Sequence, residues 1–134
     1  MLRGLITLML TSTSLRDCST SQKYAQITKM SIQPDAPVRG DNVTLAIDYN
    51  LFSTITGGTA EYRAILNGIP FPGTSEPLCK EIGCPKDPGS YVQYGSNVLP
   101  DINGKVVSSI TWKNQDGQEL WCAEVTFRMT DDEL

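Results

Sequence analysis

The chain has 134 residues, a formal net charge of −4 and no histidine. That length makes a single domain with room for a real core. The acidic balance, with no basic block, argues against nucleic acid as a partner. The missing histidine removes the commonest general base and the commonest metal ligand.

In chain order, Arg3 precedes a short apolar run over residues 5–10, and the small residues Thr11, Ser12, Thr13 and Ser14 follow. This predicts a cleaved signal peptide over residues 1–16, a domain over 17–130 and an acidic tail over 131–134. The run is too short to cross a bilayer. Export would place the protein in an oxidising setting, where its four cysteines form disulfides. Asn42, Val43 and Thr44 make a glycosylation sequon. The terminal Asp131, Asp132, Glu133 and Leu134 resemble a retention tetrapeptide with aspartate in place of lysine, but read more plainly as a solvated tail.

Strands dominate the reading. Tyr24 to Ile32 alternates in part and ends before Pro34. Residues 42–51 alternate cleanly, with Val43, Leu45, Ile47 and Tyr49 on one face. Ala60, Tyr62, Ala64 and Leu66 form the apolar face of the next strand. Tyr91 to Tyr94 is a short candidate. Val106, Ser108, Ile110 and Trp112 alternate next, then the turn at Gln115, Asp116 and Gly117 leads to a last strand over 119–129. Six or seven strands closed by turns predict an all-β, immunoglobulin-like antiparallel sandwich. Ala60, Ala64, Ser108 and Ala123 are small for inward positions, which leaves volume unless the sheets close in.

Between the third and fourth of these strands, residues 67–89 carry five prolines and four glycines. No helix or central strand is expected there. Its apolar Ile69, Phe71 and Leu78, with the local pair Cys79 and Cys84, suggest the rim of a cavity rather than a connector. Pairing Cys79 with Cys84 leaves Cys18 for Cys122, a loop of about 100 residues worth up to roughly 4.7 kcal/mol in the chain-entropy account. The cysteine spacing does not suit zinc.

No catalytic motif emerges. There is no nucleophile elbow, no phosphate loop and no distinctive carboxylate pair, so neither an enzyme nor a cofactor is expected.

The run of Asn67, Gly68, Ile69, Pro70, Phe71 and Pro72, then Glu76-Pro77, the Cys79/Cys84-Pro85 pair, Leu99-Pro100, Ile110-Thr111-Trp112 and Leu120-Trp121-Cys122 resembles the MD-2-related lipid-recognition (ML) family. Within that family it is most similar to the Niemann-Pick type C2 sterol-transfer proteins. The resemblance implies a protein that is secreted or in the endolysosomal lumen, with a sterol, or another apolar lipid, held between two sheets and moved between membranes. Phospholipid transfer (phosphatidylglycerol or phosphatidylinositol) and lipid presentation to an innate-immune receptor are the alternatives. It carries a pocket-lining role to Phe71 and, at a less closely matched position, to Ile102. Ile69, Tyr62, Leu66, Ile110, Trp112 and Phe127 complete the expected lining, each with plain core packing as its alternative. The chain lacks the third disulfide and the pocket tyrosine of the sterol carriers. Expected partners are the lipid, a transient membrane surface, and an acceptor or receptor protein, with the chain itself a monomer.

Overall fold

The structure, a computed structural model, describes residues 12–129. The first eleven residues of the expected leader and the acidic tail lie outside the described residues. Nine strands and one short helix follow in order: β1 (Ser12–Asp17), β2 (Ala25–Gln33), β3 (Asn42–Leu51), β4 (Thr59–Leu66), β5 (Ile69–Pro70), β6 (Thr74–Pro77), α1 (Leu78–Ile82), β7 (Gly89–Val98), β8 (Gly104–Lys113) and β9 (Glu119–Met129). One sheet runs β1-β9-β8-β4, with β5 and β6 both on the far side of β4. The other runs β2-β3-β7. All pairings are antiparallel. The expected sandwich is therefore present.

Three of the nine strands match none of those read from the sequence. Five of the six residues of β1 lie on the leader side of the boundary expected at residue 17, and β1 pairs with β9 from Ser12↔Arg128 to Asp17↔Ala123. The other two, β5 and β6, lie in the stretch expected to hold neither helix nor central strand, and so does α1. The prolines explain how these elements form. Pro70 and Pro77 sit on edge strands, where a missing N–H costs no ladder bond. Pro77 also occupies the N-cap of α1 with extended backbone, and Gly83 ends the helix at φ 73, its N–H donating to Cys79 O at 3.0 Å. A five-residue helix fits between those two signals.

The β4–β5 link is a two-residue turn in which Asn67 and Gly68 both have positive φ, 51 and 81. That is the backbone a tight hairpin requires. Asn67 Oδ1 accepts from the Lys105 N–H at 2.9 Å and so ties the turn to β8. Gly58, at φ 125, passes so close to β8 that an added Cβ would lie 2.0 Å from Lys113 O. Both expected disulfides form, Cys18–Cys122 and Cys79–Cys84.

Two buried clusters fill the space between the sheets. One is aromatic: Tyr49, Trp112 and Trp121 meet with ring centroids 4.4–5.9 Å apart, and Ile55, Ala60, Leu78 and Leu120 enclose them. The other is aliphatic and centres on Ile32, Val43, Leu99, Val125 and Phe127.

Candidate functional site

A cavity of about 310 Å³ opens beside the aliphatic cluster. Its floor is the inner face of β4, β8 and β9, whose register sets Ala64 opposite Ser108, Ser108 opposite Val125 and Val106 opposite Phe127. Strict alternation brings every second residue of those strands inward, so three neighbouring strands supply one continuous surface. The facing wall comes from Ile32, Val43 and Leu45 of β2 and β3. Gly95, Ser96, Asn97 and Val98 of β7, then Leu99 and Pro100, and Phe71 just after β5, complete the lining. Phe71 is held in place by its N–H, which donates to Ala64 O at 2.9 Å.

Among the described residues, no Asp, Glu, Lys or Arg lines the space. Its polar side chains are Ser108, Asn97 and Tyr62, while Ser96 turns its hydroxyl to Thr44 on the outer face of the sheet at 2.9 Å. The Tyr62 hydroxyl donates to Glu81 Oε1 at 3.1 Å, which ties the cavity wall to α1. Burial, with the Glu81 carboxylate beside it, pushes the Tyr62 phenol up to about 12. Such a surface holds an apolar body by area and offers few directional contacts.

The structure brings five of the eight expected lining residues together: Phe71, Tyr62, Leu66, Ile110 and Phe127 all border the cavity. The other three stand elsewhere. Trp112 is 1% exposed and packs in the aromatic cluster, edge-on to Tyr49. It shares an alternating face with Ile110, but two residues further along the strand the space is already full. Ile69 is exposed on β5, outside the lining. Ile102 is exposed in the β7–β8 loop, whose flanking Asp101 and Asn103 are both held by Arg39 at 3.7 and 3.0 Å. The expected rim stretch also divides. Phe71 reaches the cavity, whereas Leu78, Ile82 and Cys84 pack against the aromatic cluster, so the Cys79–Cys84 staple braces the closed end rather than the mouth.

Sequence reasoning missed the contributions of β2, β3 and β7. Ile32, Val43 and Leu45 had the right alternation but were not assigned to the site. The strand candidate expected over Tyr91 to Tyr94 stopped short of residues 95–98, where glycine, serine and asparagine leave no apolar alternation, yet β7 runs on to Val98. The signal for volume was legible: Ala64, Ser108 and Ala123 all border the cavity, and only Ala60 lies instead in the packed aromatic end.

The ML domain model matches residues 12–129. The chain belongs to the ML domain family. A Dictyostelium discoideum protein provisionally named phosphatidylglycerol/phosphatidylinositol transfer protein 2 is 27% identical over 136 residues, covering 94% of this chain and 95% of that one. Among solved structures, chicken MD-1 complexed with lipid IVa superposes with a TM-score of 0.66 at 21% identity, covering 90% of this chain and 91% of that one. A Niemann-Pick type C2 protein from the Japanese carpenter ant gives 0.62 at 14%, covering 84% of this ML domain and 96% of that chain. At those identities the two structures speak for the fold.

Proposed function

We propose that this ML domain is a non-catalytic lipid carrier that takes the apolar body of a sterol between its sheets and moves it between membranes. The observation that carries this reading is the uncharged cavity that Phe71 and β7 help to line. Its volume lies at the lower end of the roughly 300–1,000 Å³ usual for ligand sites, which suits one compact apolar body. Exposed Phe71 and Ile69 give the chain an apolar margin for brief contact with a bilayer or an acceptor protein. Two disulfides suit secretion or an endolysosomal lumen. A leader that ends ahead of Ser12 would leave β1 whole. Asn42, exposed at the start of β3, is free to carry a glycan.

Phospholipid is the second reading, favoured by the name of the Dictyostelium relative. With no charged group in the lining, a phospholipid would place an acyl chain inside and leave its headgroup at the mouth.

Both readings meet one experiment. The protein is secreted from a eukaryotic host and extracted for mass spectrometry of bound lipid, then challenged with a fluorescent sterol and with labelled phosphatidylglycerol and phosphatidylinositol. Sterol in the extract, with uptake of the sterol probe, is the expected result. Phospholipid alone would move the assignment to the second reading. An empty extract with no uptake of any probe would overturn the carrier.

A further inference from the structure

Among the described residues, β7 leaves one edge free. Its ten residues, Gly89–Val98, pair with β3 alone. The Leu99 N–H donates to Asp41 O at 2.8 Å, and the next rung pairs Asn42 with Val98. Bonded and non-bonded rungs alternate in an antiparallel ladder. Ser90, Val92, Tyr94, Ser96 and Val98 therefore turn their N–H and C=O groups away from β3. Two of those groups have only local side-chain contacts, Val98 N–H with Asn97 Oδ1 at 3.0 Å and Tyr94 O with Gln93 Nε2 at 3.4 Å.

Proteins usually blunt such an edge with charge, proline, a bulge or brevity. The other edges described here do so. β1 is six residues long and carries Arg16 and Asp17, β2 has Lys29 and a register break beside it, and β5 and β6 are short and contain Pro70 and Pro77. β7 has none of these devices. It has no charged residue and no proline, it is paired with β3 in unbroken register, and it exposes Val92, Tyr94 and Val98.

We propose that β7 is a self-association strand, on which a second copy of this chain adds antiparallel about a two-fold axis. The two small sheets then become one sheet ordered β2-β3-β7-β7-β3-β2. Symmetry favours this occupant. A charge on the axis of a self-paired strand would meet its own copy, and β7 carries no charge anywhere, so nothing along it repels a second copy. A bilayer is the wrong partner for this edge, because lipid leaves backbone N–H and C=O groups unsatisfied. The register that uses all five outward residues sets Tyr94 opposite its own copy on the axis, and Val92 opposite the partner's Ser96. This departs from the monomer expected of the sequence. Because Ser96, Asn97 and Val98 also border the cavity, the associated copy stands beside its mouth.

Sedimentation velocity of the secreted chain over a concentration series tests this without reference to any lipid. The average mass is expected to climb from that of one chain towards two. Tyr94→Lys puts like charges across the axis and should hold the protein at one chain with an unchanged circular dichroism spectrum, since Tyr94 is 66% exposed. Val92→Pro removes an outward N–H while sparing the β3 ladder, and should do the same. Tyr94→Cys should close a disulfide between copies under oxidising conditions, because bonded rungs hold Cα atoms about 5.5 Å apart. A one-chain mass at every concentration would overturn the proposal, as would association that survives both Tyr94→Lys and Val92→Pro. Binding of monomeric protein to neutral vesicles that is lost in Tyr94→Lys would overturn it in favour of a membrane surface.

Discussion

The two ends of the inter-sheet space are built from the same strands and filled in opposite ways. On β4, Ala60 and Ala64 face inward four residues apart. Ala60 is fully buried against the aromatic cluster, while Ala64 borders the cavity. On β8, Trp112 fills the closed end and Ser108 borders the open one. Alternation decides only which side chains face inward. Their volumes decide whether the sheets enclose a core or a cavity, and here that choice changes within one strand.

Substitutions at the two ends should separate stability from lipid binding. Trp112→Ala removes a fully buried indole and should cost about 3–5 kcal/mol in urea unfolding, while whatever stays folded keeps its lipid affinity. The paired changes Ala60→Phe and Ala64→Phe sharpen the contrast. Ala60→Phe has no space to enter and should cost about 1–3 kcal/mol with binding retained. Ala64→Phe should enter the cavity, alter stability by less than about 1 kcal/mol and abolish uptake. If both variants lose stability equally, the two ends are not distinct. Phe71→Ala removes a half-exposed ring from the mouth. A roughly tenfold weaker affinity, about 1.4 kcal/mol, is expected from a displacement titration, with the melting temperature nearly unchanged.

The smallest effects concern pH. With no histidine, no side chain has an ordinary pKa between 5 and 8, so lipid affinity should be flat across that window. Tyr49 and Tyr62, one from each end, are both pushed up to about 12, chiefly by burial. The folded state thus holds their protons more tightly than the unfolded chain does. The stability this confers is present below pH 10 and fades as pH rises from about 10 through 12. Phenolate absorbance alongside melting temperature would show it, and early titration of Tyr62 would mean the cavity wall is wetter than described.

The alternation in residues 42–51 and 119–129 gave β3 and β9 their limits, because strands with one buried face leave a two-residue period. The site was legible where small residues broke an otherwise bulky face. It was not legible in β7, whose inner face is Tyr91, Gln93, Gly95 and Asn97. A strand beside an opening needs no apolar alternation, so the period carried no signal. Trp112 misled for the reverse reason: its type and phase suit a lining residue, and only the tertiary position of Trp121 and Tyr49 fills the space around it.

The aromatic cluster has one mechanical consequence. It joins the two sheets as a pivot joins the arms of a peg. Ala64 lies four residues along β4 from Ala60, roughly 13 Å at strand rise. A tilt of about 10° between the sheets at the pivot would then widen the gap at Ala64 by about 2 Å. Such a lever would let the open end adjust to ligand girth while the aromatic packing at its fulcrum hardly changed.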